Sequence, residues 1–223
     1  MKRLPRLRLL LLFYAVLVAL FALAKPAFML FNGAAGRGLT FADYAAVMWH
    51  GLPLDLATAG YLSAPVWLGL IATIWLRSRE ARPVLAFLTR AYIIYTGVIA
   101  LLLAVIYVAD ACLYGFWDIK LDGTVLGYLD SPRGAAASVS AAYIAAAVAA
   151  ILLTAGAVYF LLRRLVPGEL TRLRRPAAAT GGMLLLGGLL FLGIRGGTGK
   201  STANVGMVYY LSLIHISEPT RPY

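Results

Sequence analysis

The sequence contains five long apolar segments, and this feature restricts the possible folds more than any other. Each segment is long enough to cross the hydrocarbon layer of a bilayer as an α-helix. Hydrophobic residues make up 62% of the chain and charged residues 13%, and the mean hydropathy is +0.84. A soluble core could not bury so much apolar surface. The sequence therefore predicts an all-α polytopic membrane bundle of five transmembrane helices, at about residues 9–31, 54–76, 91–113, 139–162 and 177–194.

The distribution of positive charge predicts the orientation of these helices. The net charge is +11, but the basic residues form short clusters between apolar segments, a pattern that sets membrane topology rather than one that binds nucleic acid. The N-terminus and the connections at 77–90 and 163–175 hold thirteen lysines and arginines, whereas the alternate connections hold six. The positive-inside rule therefore predicts a cytoplasmic N-terminus and an extracytoplasmic C-terminus.

The first apolar segment has two interpretations. Ala22, Leu23 and Ala24 have the small-x-small form of a signal-peptide cleavage site. The length of the apolar stretch from 9 to 31 favours an uncleaved first helix instead. Both interpretations leave the later topology unchanged.

The composition of the other segments predicts how they pack. Residues 32–52 are polar and contain glycine, so they are predicted to form a loop. Pro65 is expected to bend the second helix. The fourth segment is rich in alanine and is predicted to be the packed centre of the bundle, because small residues let helices approach closely in lipid. The glycines of the fifth segment are expected to allow tight packing for the same reason.

Asp55 and Asp110 are the two acids nearest the hydrocarbon, toward its outer edge in this topology. A carboxylate at that depth is costly, so we expect a partner such as Lys25, Lys120 or a backbone group. Two roles remain open. One is contact with a lipid head group or an ion, and the other, which is favoured, is a structural polar contact between the second and third helices.

Residues 113–140 are the one long stretch between apolar segments that mixes acids, bases, aromatic residues and turn formers. The stretch resembles the connection between the third and fourth membrane helices of lipoteichoic acid synthase-like proteins, the membrane-anchored branch of the sulfatase and alkaline phosphatase superfamily. The residues that carry the resemblance are Tyr114, Phe116, Trp117, Lys120, Leu121, Asp122, Leu126, Tyr128, Leu129, Pro132, Ala137 and Ser138.

Five residues of this stretch are candidate lipid head-group or structural polar contacts: Trp117, Lys120, Asp122, Tyr128 and Arg133. The functional hypothesis is that they meet lipid head groups and present them to an outer domain. The alternative is an interfacial loop whose aromatic residues anchor it and whose charges are solvated. The alternative is favoured, because aromatic residues are common at membrane interfaces.

Two further blocks resemble the same family. The run from His50 to Asp55, continued by Tyr61 and Pro65, is similar to the start of the family's second helix. Residues 195–210 resemble its exit from the last membrane helix into a linker, and the matching residues are Arg195, Gly196, Gly197, Ser201, Thr202, Asn204, Gly206, Tyr209 and Tyr210.

The resemblance stops at residue 211, and residues 211–223 resemble a translated sequencing-adapter read-through. The predicted organisation is therefore a transmembrane domain at 1–194, the start of a linker at 195–210 and an artefactual tail at 211–223. The natural protein is expected to continue into a further domain.

The resemblance implies a function for that longer protein. In the family, an extracytoplasmic sulfatase-like domain follows the fifth helix, and a metal-activated threonine or serine there attacks a phosphodiester or related ester. The reactions are transfer of phosphoglycerol or phosphoethanolamine, or ester hydrolysis, and manganese, magnesium or zinc is the expected metal of that domain. This chain is then the enzyme's membrane anchor in the bacterial cytoplasmic membrane, with no catalytic, cofactor or metal residues of its own. Its predicted partners are membrane lipids, with anionic phospholipid as a candidate.

A non-catalytic small polytopic membrane protein, either a scaffold or a transporter component, is the alternative. Transporters commonly contain internal repeats with paired broken helices and ionisable groups near the midplane. This chain has one proline-interrupted helix and acids only near the outer edge, which disfavours transport but leaves a scaffold open.

Two further motifs do not predict a site. Gly199, Lys200 and Ser201 match the end of a phosphate-binding loop, but Ile194 stands where that motif requires glycine, so no nucleotide site is predicted. His50 and His215 are far apart and predict no metal site with the single cysteine, Cys112.

Overall fold

The computed structural model describes residues 5–33, 40–75, 81–117, 140–165 and 176–195. Five α-helices make up almost all of these ranges: α1 (Pro5–Phe31), α2 (Phe41–Ala72), α3 (Ala81–Trp117), α4 (Ala141–Arg163) and α5 (Pro176–Arg195). Each helix is long and apolar enough to cross a membrane. The predicted all-α bundle of five membrane helices is therefore confirmed, and the chain is a multi-pass membrane protein.

The helices alternate in direction, and polar contacts mark the two ends of the bundle. Arg6 of α1 meets Thr73 at the end of α2, and Trp75 meets Thr180 near the start of α5; this is called the Arg6 end. Lys25 of α1 pairs with Asp55 of α2 at the opposite end, which is called the Lys25 end. Helices α1, α3 and α5 run from the Arg6 end to the Lys25 end.

The bundle consists of two packed groups. Helix α2 packs against both α1 and α5, and α3 packs against α4. The two groups meet mainly where aromatic rings of α1 lie edge-on to tyrosines of α3. The fully buried side chains of Leu10, Phe13 and Leu17 place α1 in the core.

The second and third helices extend beyond the predicted membrane spans. Helix α2 begins at Phe41, inside the stretch 32–52 that was predicted to be a loop. The Asp43 carboxylate accepts hydrogen bonds from the backbone N–H and the hydroxyl of Thr40, both at 2.7 Å, and this closes the first turn. Helix α3 likewise begins at Ala81, within the predicted 77–90 connection. Hydropathy locates the hydrocarbon, whereas backbone hydrogen bonds and caps set where a helix ends.

The prediction that the alanine-rich fourth helix is the packed centre is wrong. Only 6% of the most apolar stretch of α4 is buried, against 39% for α2. A side-chain carbon at Gly156 would meet nothing within 4 Å, so the small residues of α4 do not mark a close helix contact there. Small residues allow close approach but do not require it. In this bundle the central position belongs to α1 and α2.

The bend expected at Pro65 does not interrupt α2, which is helical through both Pro53 and Pro65. Pro65 has no N–H to donate to the carbonyl of Tyr61. At the next carbonyl, that of Leu62, the Tyr95 hydroxyl of α3 donates a hydrogen bond of 2.8 Å. Backbone groups near a proline in a membrane helix are commonly satisfied by a neighbouring helix in this way.

Some glycines of α5 allow close packing, as predicted, and others do not. A side-chain carbon at Gly187 would collide with the Trp67 indole of α2, whose Nε1 donates to the Met183 carbonyl at 2.7 Å. A carbon at Gly193 would lie 3.2 Å from the Tyr14 hydroxyl oxygen. No heavy atom lies within 4 Å of a carbon built at Gly188, beside the tight position.

We expect Gly187→Ala to destabilise the bundle by about 1–3 kcal/mol, because the new methyl group must displace the hydrogen-bonded indole. Gly188→Ala is the matched control. It should leave stability unchanged or raise it by up to about 1 kcal/mol, since alanine favours the helix and the site is open. Thermal unfolding of the purified protein in detergent measures both. Equal effects of the two variants would contradict the assigned α2–α5 contact.

Candidate functional site

The ion pair between Lys25 and Asp55 is the centre of the candidate site. The ammonium Nζ of Lys25 on α1 donates a hydrogen bond to Oδ2 of Asp55 on α2. The Lys25 side chain is 18% exposed and the Asp55 side chain 8%, so the pair is largely shielded but not closed off. Lys25 follows directly on the apolar run 9–24 of α1. The apolar sequence resumes after it to Phe31, so the pair lies within the first span, six residues before the end of that span.

Gly51 makes room for the lysine. It lies one helical turn before Asp55 on α2, on the same face. A side-chain carbon at Gly51 would collide with the Lys25 side chain, approaching Nζ to 2.9 Å and Cδ to 3.2 Å. The absence of a side chain at this position therefore lets Lys25 cross the surface of α2 and reach the carboxylate.

This pairing settles one of the two partner questions raised by the sequence. A partner was expected for Asp55, and Lys25 was one of the candidates. The lysine of this ion pair comes from α1, whereas the sequence favoured a polar contact between the second and third helices. Helix α1 packs directly against α2, so its lysine can reach Asp55.

Helix α3 contributes Tyr107 to the same region. The hydroxyl oxygen is buried and has no hydrogen-bond partner within the described part of the chain. The Tyr107 ring packs edge-on against Phe21 of α1, with ring centroids 6.4 Å apart. A buried phenol without an acceptor is costly.

The ring contacts between α1 and α3 also place Asp110. Phe28 and Tyr114 form a second edge-on pair, with centroids 5.1 Å apart. On α1, Lys25 lies between Phe21 and Phe28, and on α3, Asp110 lies between Tyr107 and Tyr114. Residues three and four apart share a helix face. Half-buried Asp110 is therefore on the face of α3 that is turned toward α1 near Lys25.

A second charged residue, Arg6, binds the opposite end of α1 to α2. Arg6, only 6% exposed, donates from Nε to the Thr73 hydroxyl oxygen at 2.8 Å and from a terminal nitrogen to the Thr73 carbonyl at 3.3 Å. Thr73 caps the C-terminus of α2, where unpaired carbonyls and the helix dipole favour a cation. In the sequence, Arg6 was interpreted only as a topology-setting charge. Its position opposite a helix C-terminus became evident only with the fold.

The remaining candidate residues do not join this site. Trp117 is the last residue of α3. Lys120, Asp122, Tyr128 and Arg133 lie outside the described residues. The hypothesis that the 113–140 stretch contacts lipid head groups therefore stays a prediction.

The described helices hold no group of three or more histidine, cysteine, aspartate or glutamate side chains that could bind a metal ion. The site that the structure does contain has the Lys25 cation and the Asp55 carboxylate, with the Tyr107 phenol and the Asp110 carboxylate on the facing helix α3.

Comparisons with known protein families, with curated proteins and with solved structures give no match to this chain. The resemblance to lipoteichoic acid synthase-like proteins therefore rests on the three sequence blocks alone.

We expect single neutralisation of the ion pair to destabilise the bundle more than double neutralisation. Lys25→Met or Asp55→Asn alone leaves a charge without its partner and should cost about 3 kcal/mol, the low end for buried pairs because Lys25 is partly exposed. The double variant leaves neither charge and should lose clearly less. A thermal-unfolding cycle in detergent measures the coupling. Additive effects would show that the two side chains do not interact.

Proposed function

We propose that this chain is the membrane domain of a lipoteichoic acid synthase-like enzyme of the cell envelope, in the sulfatase superfamily. The parent enzyme is a phosphoglycerol or phosphoethanolamine transferase or an ester hydrolase, and this domain anchors it in the bacterial cytoplasmic membrane. The domain itself performs no chemistry. A divalent manganese, magnesium or zinc ion belongs to the catalytic domain of the parent, and no residue described above is assigned to it.

The observation that carries this proposal is the position of the three family-like blocks. The run from His50 to Asp55 lies at the Lys25 end of α2, and Tyr114 lies at the same end of α3. Ile194 of α5 lies against Gly60, about one turn from Asp55, so α5 also ends there. Segments separated by more than a hundred residues thus meet at one face. This arrangement is what an anchor needs if its loops and linker serve a domain on that side.

The distribution of basic residues supports placing the Lys25 end outside the cell. Within the described ranges, the Arg6 end carries Arg6, Arg8, Arg90, Arg163 and Arg164. The Lys25 end carries Lys25 and Arg195. The positive-inside rule assigns the richer end to the cytoplasm. The N-terminus is then cytoplasmic and the exit from α5 extracytoplasmic.

Cysteine labelling tests this orientation. In a Cys112→Ala background, we expect Phe41→Cys to react with a membrane-impermeant maleimide in intact cells, because Phe41 is 88% exposed at the Lys25 end. Trp75→Cys, 64% exposed at the Arg6 end in the native side chain, should react only after permeabilisation. The reverse pattern would overturn the orientation.

Sequencing the source DNA across the codons for Tyr210 and Leu211 tests the enzyme proposal. We expect the reading frame to continue beyond Tyr210 into several hundred further codons that encode metal-binding acids and a nucleophilic threonine or serine. A frame that reads through residues 211–223 and then stops would defeat the proposal. The chain would then be better described as a non-catalytic membrane protein, for which the same bundle provides the scaffold.

A further inference from the structure

Helices α3 and α4 bring two arginines to the same level at the Arg6 end. A carbon built at Gly97 of α3 would lie 3.8 Å from the Tyr159 ring of α4, so these two positions face each other. Arg90 lies seven residues before Gly97, and Arg163 lies four residues after Tyr159. Residues at these spacings share a helix face. Because the two helices run in opposite directions, Arg90 and Arg163 lie on facing sides near the same end.

This end of the α3–α4 pair lies at the edge of the hydrocarbon layer. The apolar run 141–162 of α4 is about 33 Å long at the helical rise of about 1.5 Å per residue, and a hydrocarbon layer is about 30 Å thick. Arg163, the last residue of the span, therefore reaches the boundary with the head groups. The Tyr92 hydroxyl of α3 donates to the Leu162 carbonyl at 3.0 Å, which fixes the start of α3 at the same depth.

Aromatic rings hold two guanidinium groups at this boundary. The Arg163 Cζ lies 5.8 Å from the centroid of the Tyr159 ring, and a terminal nitrogen of Arg163 donates to the Tyr159 hydroxyl oxygen at 3.3 Å. The Arg164 Cζ lies 4.2 Å from the centroid of the Phe160 ring. Both rings precede their arginine by one turn, on the hydrocarbon side. A guanidinium that stacks on a ring keeps N–H donors at its edge, and these suit the oxygens of a phosphate.

The charge at this end is not balanced by carboxylates. The described residues contain three acidic side chains, Asp43, Asp55 and Asp110, and all three lie toward the Lys25 end. In the sequence, the stretches 77–90 and 163–175 contain nine arginines and two glutamates. A positive excess therefore remains even if each glutamate pairs with an arginine. Such an excess favours a ligand with net negative charge over a zwitterion, which brings a cation of its own.

Exposed apolar side chains continue from the arginines toward the middle of the membrane. On α3, Ile94 and Leu101 are exposed on the face of Arg90. On α4, Phe160 and Leu153 are exposed on the face of Arg164. Acyl chains can cover these side chains while the phosphate of the same molecule meets the guanidinium groups. A soluble phosphate would make only the second contact.

We propose that Arg90, Arg163 and Arg164 bind the phosphate of an anionic phospholipid whose head group carries no amine. The guanidinium N–H groups donate to the phosphate oxygens, and the acyl chains lie along the exposed side chains of α3 and α4. This binding requires only the described helices, so it is independent of the enzymatic proposal. In the orientation proposed above, the lipid lies in the cytoplasmic leaflet, on the side opposite to an outer catalytic domain, and is therefore a bound structural lipid rather than a substrate.

Lipid binding to the purified, delipidated full chain in detergent tests this proposal. Phosphatidylglycerol, phosphatidylcholine and inorganic phosphate are titrated separately, and binding is read by native mass spectrometry and by the midpoint of thermal unfolding. We expect phosphatidylglycerol to bind roughly tenfold more tightly than phosphatidylcholine. Inorganic phosphate at the same concentration should have no effect. Equal binding of the two lipids would overturn the proposal, and binding of inorganic phosphate as tight as that of phosphatidylglycerol would overturn the assignment to a lipid.

Two arginines in equivalent positions provide a matched pair. Arg163 and Arg195 each lie in the last turn of a membrane helix, at opposite ends of the bundle. Arg163→Gln should reduce the preference for phosphatidylglycerol about fivefold. Arg195→Gln removes the same charge next to a helix C-terminus and should leave the preference unchanged. Equal losses in the two variants would show attraction to the basic chain as a whole and would contradict a site at the Arg6 end.

A charge-preserving variant avoids effects on insertion and folding. Arg163→Lys combined with Arg164→Lys keeps both positive charges but loses the planar groups that stack on rings and bind phosphate through two N–H donors. It should fold as the native chain does and lose more than half of the preference. Phe160→Leu, which keeps every charge and removes the ring beneath Arg164, should change binding in the same direction by a smaller factor. Native affinity in the double lysine variant would refute the role assigned to the guanidinium groups.

Discussion

A basic side chain of α1 is bound to α2 at each end of this bundle. Arg6 contacts Thr73 and Lys25 contacts Asp55. The two basic residues are separated by about 28 Å along the helix axis, close to the thickness of a hydrocarbon layer. Lipid tails are as apolar as the helix surfaces, so burial alone holds membrane helices together weakly. Two polar contacts at this spacing therefore fix both the register and the relative tilt of α1 and α2.

Aromatic donors connect the rest of the bundle to this pair. Tyrosine and tryptophan side chains of one helix donate to main-chain carbonyls of another, which can accept a second hydrogen bond without leaving the helix. Such bonds have no competition from lipid tails. These hydrogen bonds join the following donors and carbonyls: Tyr14 and Leu56 (3.1 Å), Trp67 and Met183 (2.7 Å), Tyr92 and Leu162 (3.0 Å), Tyr95 and Leu62 (2.8 Å), and Tyr143 and Cys112 (3.4 Å). Each large aromatic ring also fills space between helices. The same side chain therefore contributes both packing and an oriented hydrogen bond.

Much of this fold could be predicted from the sequence. Hydropathy located all five helices, because a helix that crosses the bilayer needs an apolar run as long as the hydrocarbon layer is thick. The cost of a carboxylate near hydrocarbon predicted that Asp55 needs a partner, and Lys25 was among the candidates.

The mutual arrangement of the helices could not be predicted in this way. The alanines of α4 are compatible with a central position, but the side chains of α1 occupy it. The role of Gly51 depends on a lysine twenty-six positions earlier in the chain, and that of Arg6 depends on where α2 ends. Nothing local in the sequence distinguishes Tyr107 from the other tyrosines of α3. These features depend on contacts between distant segments, and such contacts leave no periodic pattern.

The position of α1 in the core has a consequence for how the protein is made. Lys25 leaves the ribosome thirty residues before Asp55, so during synthesis the ammonium reaches the membrane without its counter-ion. An isolated cation at that depth disfavours stable insertion of α1 by itself. Helices α1 and α2 therefore enter the bilayer most favourably as a hairpin, and α3, α4 and α5 assemble on a pair whose charges are already matched.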